Sequence, residues 1–203
     1  MAFIKSYSFV NYSDSSYGIN EEKQFLSDNE TLENNFFTAV YRKQNFNYPK
    51  FFKMDSASKA GFLCAELLEK DFPDERENFG VIMMNNFSSS ETDKNFEKTI
   101  CDIENYYPSP SIFVYTLPNI VTGEVCIRHG FRGESSFYVF EKFSPEEFVN
   151  LVNDSLEFQD YVLAGWSEMN KNEDLKAVMF FLGKDSGLEN FNEETVEKIY
   201  KQC

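Results

Sequence analysis

The chain has 203 residues, with 34 Asp and Glu against 19 Lys and Arg and a formal net charge of -15. Such a surface is repelled by nucleic-acid phosphate and anionic lipid, and no run of Lys or Arg offsets it, so neither is an expected partner. No apolar stretch reaches the ~20 residues of a membrane span, and Met1–Lys5 lacks a signal-peptide layout, so the expectation is one soluble cytoplasmic domain spanning 1–203.

Aromatics make up 17% of the residues, with 23 Phe and 11 Tyr, enough apolar area for a sizeable core. Tyr7 and Phe9 alternate with their neighbours as a first strand would. The polar stretch Asn11 to Asn35 reads as loop with one short helical piece at most, and 11–50 as a whole reads as loop-rich. A helix opens at Met54–Lys59 with Asp55 or Ser56 at its cap, and Ala60, Leu63, Cys64, Leu67 and Leu68 share one face. Phe79 to Met84 is a continuous apolar run, which suits a strand covered on both sides. Ser90 followed by Asp93 predicts a capped helix that continues through Phe96, Ile100 and Ile103.

Pro108 and Pro110 then break the chain. Leu117-Pro118-Asn119 starts a further helix carrying Ile120, Val121, Val125 and Ile127, and Gly130 ends it. Phe137 to Phe140 is a strand. Ser144-Pro145-Glu146-Glu147 is a strong helix start, with Phe148, Leu151 and Val152 as the buried stripe. Tyr161–Gly165 and Ala177–Leu182 are strands, and Glu193–Gln202 is a last amphipathic helix. Strands separated by helices predict an α/β layered fold with a central mixed sheet covered by helices.

Chemistry-bearing motifs are few. No glycine-rich phosphate loop and no nucleophile elbow is present. Cys64, Cys101 and Cys126 read as buried thiols and Cys203 as a frayed terminal one. With a single His, His129, a zinc site is not expected, nor is any other metal or cofactor. His129 falls at a predicted helix end, where the helix dipole favours it. The turn at Ser88 sits before a helix and is a candidate ligand-lining element. Trp166, following a strand at its predicted end, is a second.

One stretch says more. Ser109-Pro110-Ser111-Ile112-Phe113-Val114-Tyr115-Thr116-Leu117-Pro118-Asn119-Ile120-Val121-Thr122-Gly123-Glu124 resembles the β-ketoacyl-acyl-carrier-protein synthase family. Gly133 is similar to the family's glycine before the strand that leads to the nucleophile. Lys53-Met54-Asp55, the run Phe79 to Asn86, the helix from Ser144 to Leu156 and Asp160-Tyr161-Val162-Leu163-Ala164-Gly165 follow in the family's order. The likeness runs from about Lys53 to about Leu182 and implies the N-terminal half of a thiolase-like fold. It is most similar to N-terminal-half-only relatives found beside aryl-polyene or flexirubin-type pigment synthases.

The departures bear on activity. Counted from Gly133, the position that resembles the family's nucleophilic Cys is Lys142, flanked by Glu141 and Phe143. The family's second-half His and Asn residues have no expected counterpart here. The resemblance therefore implies a non-catalytic subunit similar to a chain length factor, pairing with a full-length β-ketoacyl synthase in fatty-acid, aryl-polyene or related polyketide biosynthesis. It also implies the pairing edge: Ser135, Ser136, Phe137, Tyr138, Val139 and Phe140. A bare Phe- and Tyr-rich edge must be covered. Acyl carrier protein is expected only indirectly, through a basic patch on the partner, because this chain is acidic. Two alternatives stand beside this reading: a small-molecule-binding or scaffolding homodimer with no synthase partner, and an enzyme with residual acyl-transfer, hydrolase or decarboxylase chemistry.

Overall fold

The computed structural model describes residues 2–27, 35–170, 172 and 174–203. Within them one eight-stranded mixed sheet runs in the order β3-β2-β1-β7-β6-β4-β5, with β8 pairing β1 off that path. The strands are β1 (Phe3–Asn11), β2 (Ser16–Ile19), β3 (Glu22–Phe25), β4 (Phe79–Asn85), β5 (Ser135–Val139), β6 (Tyr161–Met169), β7 (Leu175–Gly183) and β8 (Glu189–Asn190). Only β6-β4-β5 is parallel; the remaining pairs are antiparallel.

The pleat sends alternate side chains of the central strands to two cores. On one face Val81, Met83, Leu163, Met179 and Phe181 meet α1 (Phe36–Lys43), α2 (Ser56–Leu68) and α5 (Ile120–His129). On the other, Ile82, Met84, Ala164, Trp166 and Phe180 meet α6 (Pro145–Phe158) and α7 (Glu193–Gln202). β4 is buried along its whole length. That is why its sequence is an unbroken apolar run rather than an alternating one.

Helix starts follow the cap chemistry. Asp55 accepts from the Ser58 amide at 2.9 Å, Ser144 from Glu147 at 3.3 Å and Asn192 from Thr195 at 2.9 Å. Gly130, at φ +70°, closes α5 in the left-handed conformation expected there.

Four expectations are corrected. The 11–50 stretch holds more regular structure than expected: β2 and β3 form a hairpin, and α1 is capped by Asn35, whose side chain accepts from the Thr38 amide. Phe36, Phe37, Val40 and Tyr41 give α1 a buried face. Residues 28–34 of the expected loop lie outside the described residues.

The helix predicted through Ile103 is α3 (Ser90–Glu97) and stops early. Ser89, not Ser90, stands at its start, its hydroxyl 3.0 Å from the Asp93 carboxylate. Beyond it the Thr99 hydroxyl takes the Phe96 carbonyl at 2.7 Å, and Asp102 caps a separate turn at Ile103–Asn105.

Cys203 is buried rather than frayed, with its carbonyl accepting from the Asn11 side chain at 3.1 Å, whereas Cys101 is exposed. His129 is not a charged dipole partner. Its side chain is 1% exposed, stacked on Phe131 with its edge toward Phe72. Burial first, then the nearby Arg128 and Arg76, lower it to about 3, so it is neutral.

Candidate functional site

The parallel strands β4 and β5 end together, Asn85 opposite Val139, and Ser88 and Lys142 lie in the turns that follow them. β5 is the last strand of the sheet. It pairs β4 on one side, Val81 opposite Ser135 through Asn85 opposite Val139, and no described strand covers its other side. Phe137 leans into the first core, while Tyr138 and Phe140 lean into the second. Val139 is 52% exposed. Gly133, just before the strand, lies so close to β4 that a Cβ there would meet the Phe79 carbonyl carbon and oxygen at 2.5 Å.

The bend between β5 and α6 holds the position that resembles the nucleophile. Glu141 and Lys142 are exposed there. Phe143 turns inward instead, its ring centroid 4.2 Å from that of Tyr200, 5.4 Å from Trp166 and 5.6 Å from Phe148. The bend therefore presents an ammonium to solvent above an aromatic plug, with no thiol.

Trp166 does not stand at a strand end. β6 continues to Met169, so Trp166 sits mid-strand between Met84 and Val178, 1% exposed, with its indole N–H donating to Glu168 at 3.4 Å. It is a core residue. Ser88 lies in a tight turn with φ +54°, held by the buried Asn85: its amide donates to Asn85 Oδ1 and its carbonyl accepts from Asn85 Nδ2, both at 2.8 Å. The structure thus gathers Lys142 and the β5 residues at one edge and leaves Ser88 and Trp166 in separate structural roles.

Two buried carboxylates had no sequence signal. Glu66 of α2, its side chain 1% exposed, accepts from Arg128 Nε at 2.6 Å and Nη2 at 3.0 Å. Burial raises this carboxyl above its ordinary range, and the hydrogen bonds and charge of the guanidinium oppose the rise. His129 Nε2, 3.4 Å from Glu66, contributes no charge to it. Glu124 of α5 is equally buried; it meets Lys50 at 2.9 Å and accepts from the Tyr115 hydroxyl at 3.1 Å. Burial and this carboxylate push the Tyr115 phenol far above its ordinary range.

Tyr115 also borders an open cavity of about 590 Å³ with Met54, Asp55, Thr92, Asn95 and Ile112. The Thr92 hydroxyl donates to Asp55 at 2.8 Å across its floor. Among the described residues no group of three His, Cys, Asp or Glu is placed to hold a metal ion.

No family model matches this chain, and neither does any curated protein. Solved structures do share its fold. A chain in the complex of a ketosynthase with its chain length factor from Xenorhabdus doucetiae superposes with a TM-score of 0.59 at 12% identity, over 92% of this chain and 80% of that one. The ishigamide ketosynthase/chain length factor gives 0.60 at 14% identity, over 93% and 63%. A type II polyketide synthase acyl-carrier protein in complex with its ketosynthase bound to the hexaketide gives 0.60 at 13% identity, over 97% and 64%. This chain therefore spans under two thirds of the matched chain in the last two. The likeness is one of fold: the thiolase-like α/β architecture expected from the sequence is the one found. No helix among the described residues is long and apolar enough to cross a membrane.

Proposed function

We propose that the chain is a non-catalytic ketosynthase-like subunit. It pairs through β5 with a full-length β-ketoacyl synthase in fatty-acid, aryl-polyene or related polyketide biosynthesis, in the manner of a chain length factor. The observation that carries this reading is the β5–α6 bend. It has the strand-to-helix geometry that would expose a nucleophile and offers Lys142 above the Phe143 plug instead. An amine on a flexible four-carbon stem is no substitute for the family's thiolate. The open, aromatic edge of β5 supports pairing, since such an edge is a hazard until another chain covers it. The fold likeness to ketosynthase–chain length factor complexes supports the class of partner.

Acyl carrier protein reaches the complex through the partner in this reading, because a chain at -15 repels another acidic protein. Free thiols at Cys64, Cys101, Cys126 and Cys203 fit the reducing cytoplasm.

The test is a two-part assay. The purified chain, incubated with an acyl thioester, is expected to gain no acyl mass. A full-length ketosynthase from the same organism, co-expressed with it, is expected to need this chain for activity or solubility. Acylation of this chain followed by unaided carbon–carbon bond formation contradicts the proposal, and so does a synthase equally soluble and active alone.

A further inference from the structure

The cavity between α3 and α4 (Pro110–Phe113) has its carboxylate already taken up, since Asp55 accepts from both Ser58 and Thr92. A second cavity, of about 420 Å³, is built differently. It lies at a notch in the sheet. β7 pairs one side of β1 from Phe3 to Asn11. On the other side β8 takes only Phe3 and Ile4, and β2 only Ser8 to Asn11. Between them Lys5, Ser6 and Tyr7 have no strand beside them. The turn from β2 to β3 closes over one end of this gap: the Tyr7 amide donates to Asn20 Oδ1 at 2.9 Å, and the Tyr7 carbonyl accepts from the Asn20 amide at 2.8 Å. That turn brings Glu21 and Glu22 to the cavity, and the approach to β8 brings Leu188 and Glu189.

Tyr7 is the residue that marks the notch. It is 7% exposed and its ring lies against Phe180, centroids 6.2 Å apart. It borders both this cavity and a smaller one beside it, yet its hydroxyl has no hydrogen-bond partner among the described residues. A tyrosine buried to this degree ordinarily finds one. Burial first, then the charges of Cys203, Glu21 and Glu189, push the phenol up to about 12, so it stays neutral with its oxygen free to accept. The two carboxylates are thus close enough to act on it. Glu21 and Glu22 have no ion-pair partner among the described residues. The lysines nearby are engaged elsewhere: Lys5 with Asp185 at 2.6 Å and Lys23 with Asp14 at 2.9 Å, while Lys198 reaches Glu189 only at 3.5 Å. The floor between the carboxylates is apolar, made by Ile4 and Ile199.

We propose that this notch binds a small aliphatic amine in its ammonium form. The ammonium donates to the Tyr7 phenol oxygen and to the carboxylates of Glu21 and Glu189, and the methylene stem lies on Ile4, Leu188 and Ile199. The volume is that of a small-ligand pocket, and the acidic chain draws cations toward it. A bare metal ion fits the lining less well. Among the described residues no group of three His, Cys, Asp or Glu is placed to hold one, and an ion has no stem to cover the apolar floor. β7, β6 and β4 stand between β1 and β5, so the site is independent of the proposed pairing edge.

The experiment is calorimetric titration of the full chain with n-butylamine and with putrescine at about 0.15 M sodium chloride, where loose attraction to an acidic surface is largely screened. Neutral n-butanol and magnesium chloride are the comparison probes. Saturable binding of the amines is expected, with little from butanol or magnesium. Tyr7→Phe keeps the buried ring and removes only the hydroxyl; it should weaken amine binding about tenfold, the worth of one hydrogen bond to a charged group. Glu21→Gln and Glu189→Gln should each weaken it at least about threefold, whereas Glu157→Gln, exposed on α6, should leave it unchanged. Thermal midpoints of the four variants, read without ligand, confirm that each is folded. Absence of saturable amine binding overturns the proposal. So does butanol binding as tightly as butylamine, magnesium displacing the amines at equal concentration, or an unchanged affinity in folded Tyr7→Phe.

Discussion

Replacing Arg128 by Met removes the guanidinium that pairs with a carboxylate having 1% of its side chain in water, and the cost can be worked from the structure. Without the guanidinium, Glu66 takes up a proton instead of remaining as a lone buried charge. Protonating a carboxyl of ordinary value 4.5 at pH 7 costs about 3.4 kcal/mol at ~1.4 kcal/mol per unit. Loss of the guanidinium from the Tyr48 ring face, whose centroid lies 5.2 Å away, adds at most about 1 kcal/mol, partly offset by the Met side chain. The expected destabilisation is about 3–4 kcal/mol at pH 7.

The sign with pH follows. In the variant the folded-state value of Glu66 lies above its unfolded value, so the native state holds a proton that the unfolded chain releases. The contribution of Glu66 is then fully present below pH 4.5 and is lost as pH rises. The gap to the unmodified protein should shrink to roughly 2 kcal/mol at pH 6 and to about 1 at pH 5. Urea unfolding followed by the fluorescence of buried Trp166 reads this directly. Glu66→Gln in the same chain should recover most of the loss at pH 7. A gap below 1 kcal/mol at pH 7, or one independent of pH, refutes the buried ion pair as described.

Further outcomes follow from other parts of the molecule. Gly133→Ala drives a methyl against the Phe79 backbone, which cannot step aside as a side chain tip would; a loss of about 2–3 kcal/mol is expected, seen as a lowered Tm with reduced exchange protection in β5. No loss would mean that the α5–β5 connection is looser than described. Burial raises Cys126 from 9.0 to about 11 and Cys203 to about 12. Burial raises Cys64 further still. The native state therefore keeps three thiol protons that the unfolded chain gives up, and stability should fall by about 4 kcal/mol between pH 8 and pH 10. A flat stability over that range contradicts the burial of these thiols. Phe143→Ala should cost about 3 kcal/mol by opening the space beside Trp166 and Tyr200, and a change under 1 kcal/mol would show that the ring is no plug.

The central sheet and its flanking helices were legible because their signals are local. β4 is one apolar run, and Ser144-Pro145 and Gly130 mark helix ends by chemistry that tertiary packing does not override. The β2–β3 hairpin was not legible, since its strands are short and β3 is wholly exposed, leaving no alternation to read. The end of α3 was missed because apolar spacing at Phe96, Ile100 and Ile103 outlasts the helix itself.

At the site, counting from Gly133 identified Lys142 and the β5 edge as the positions of interest. It could not show that Phe143 turns inward, since neighbouring residues in a bend carry no periodicity. Trp166 was misjudged because β6 runs three residues beyond it, through Ser167-Glu168-Met169. The Glu66–Arg128 and Glu124–Lys50 pairs link residues far apart in sequence, and nothing local announces them.

Native mass spectrometry of this chain co-expressed with a full-length ketosynthase from the same organism tests the central claim most directly. The account predicts a complex containing the chain and a full-length synthase, with β5 protected from hydrogen exchange only when the synthase is present. A chain found solely as monomer or as its own dimer, beside a synthase that assembles and works without it, contradicts the account.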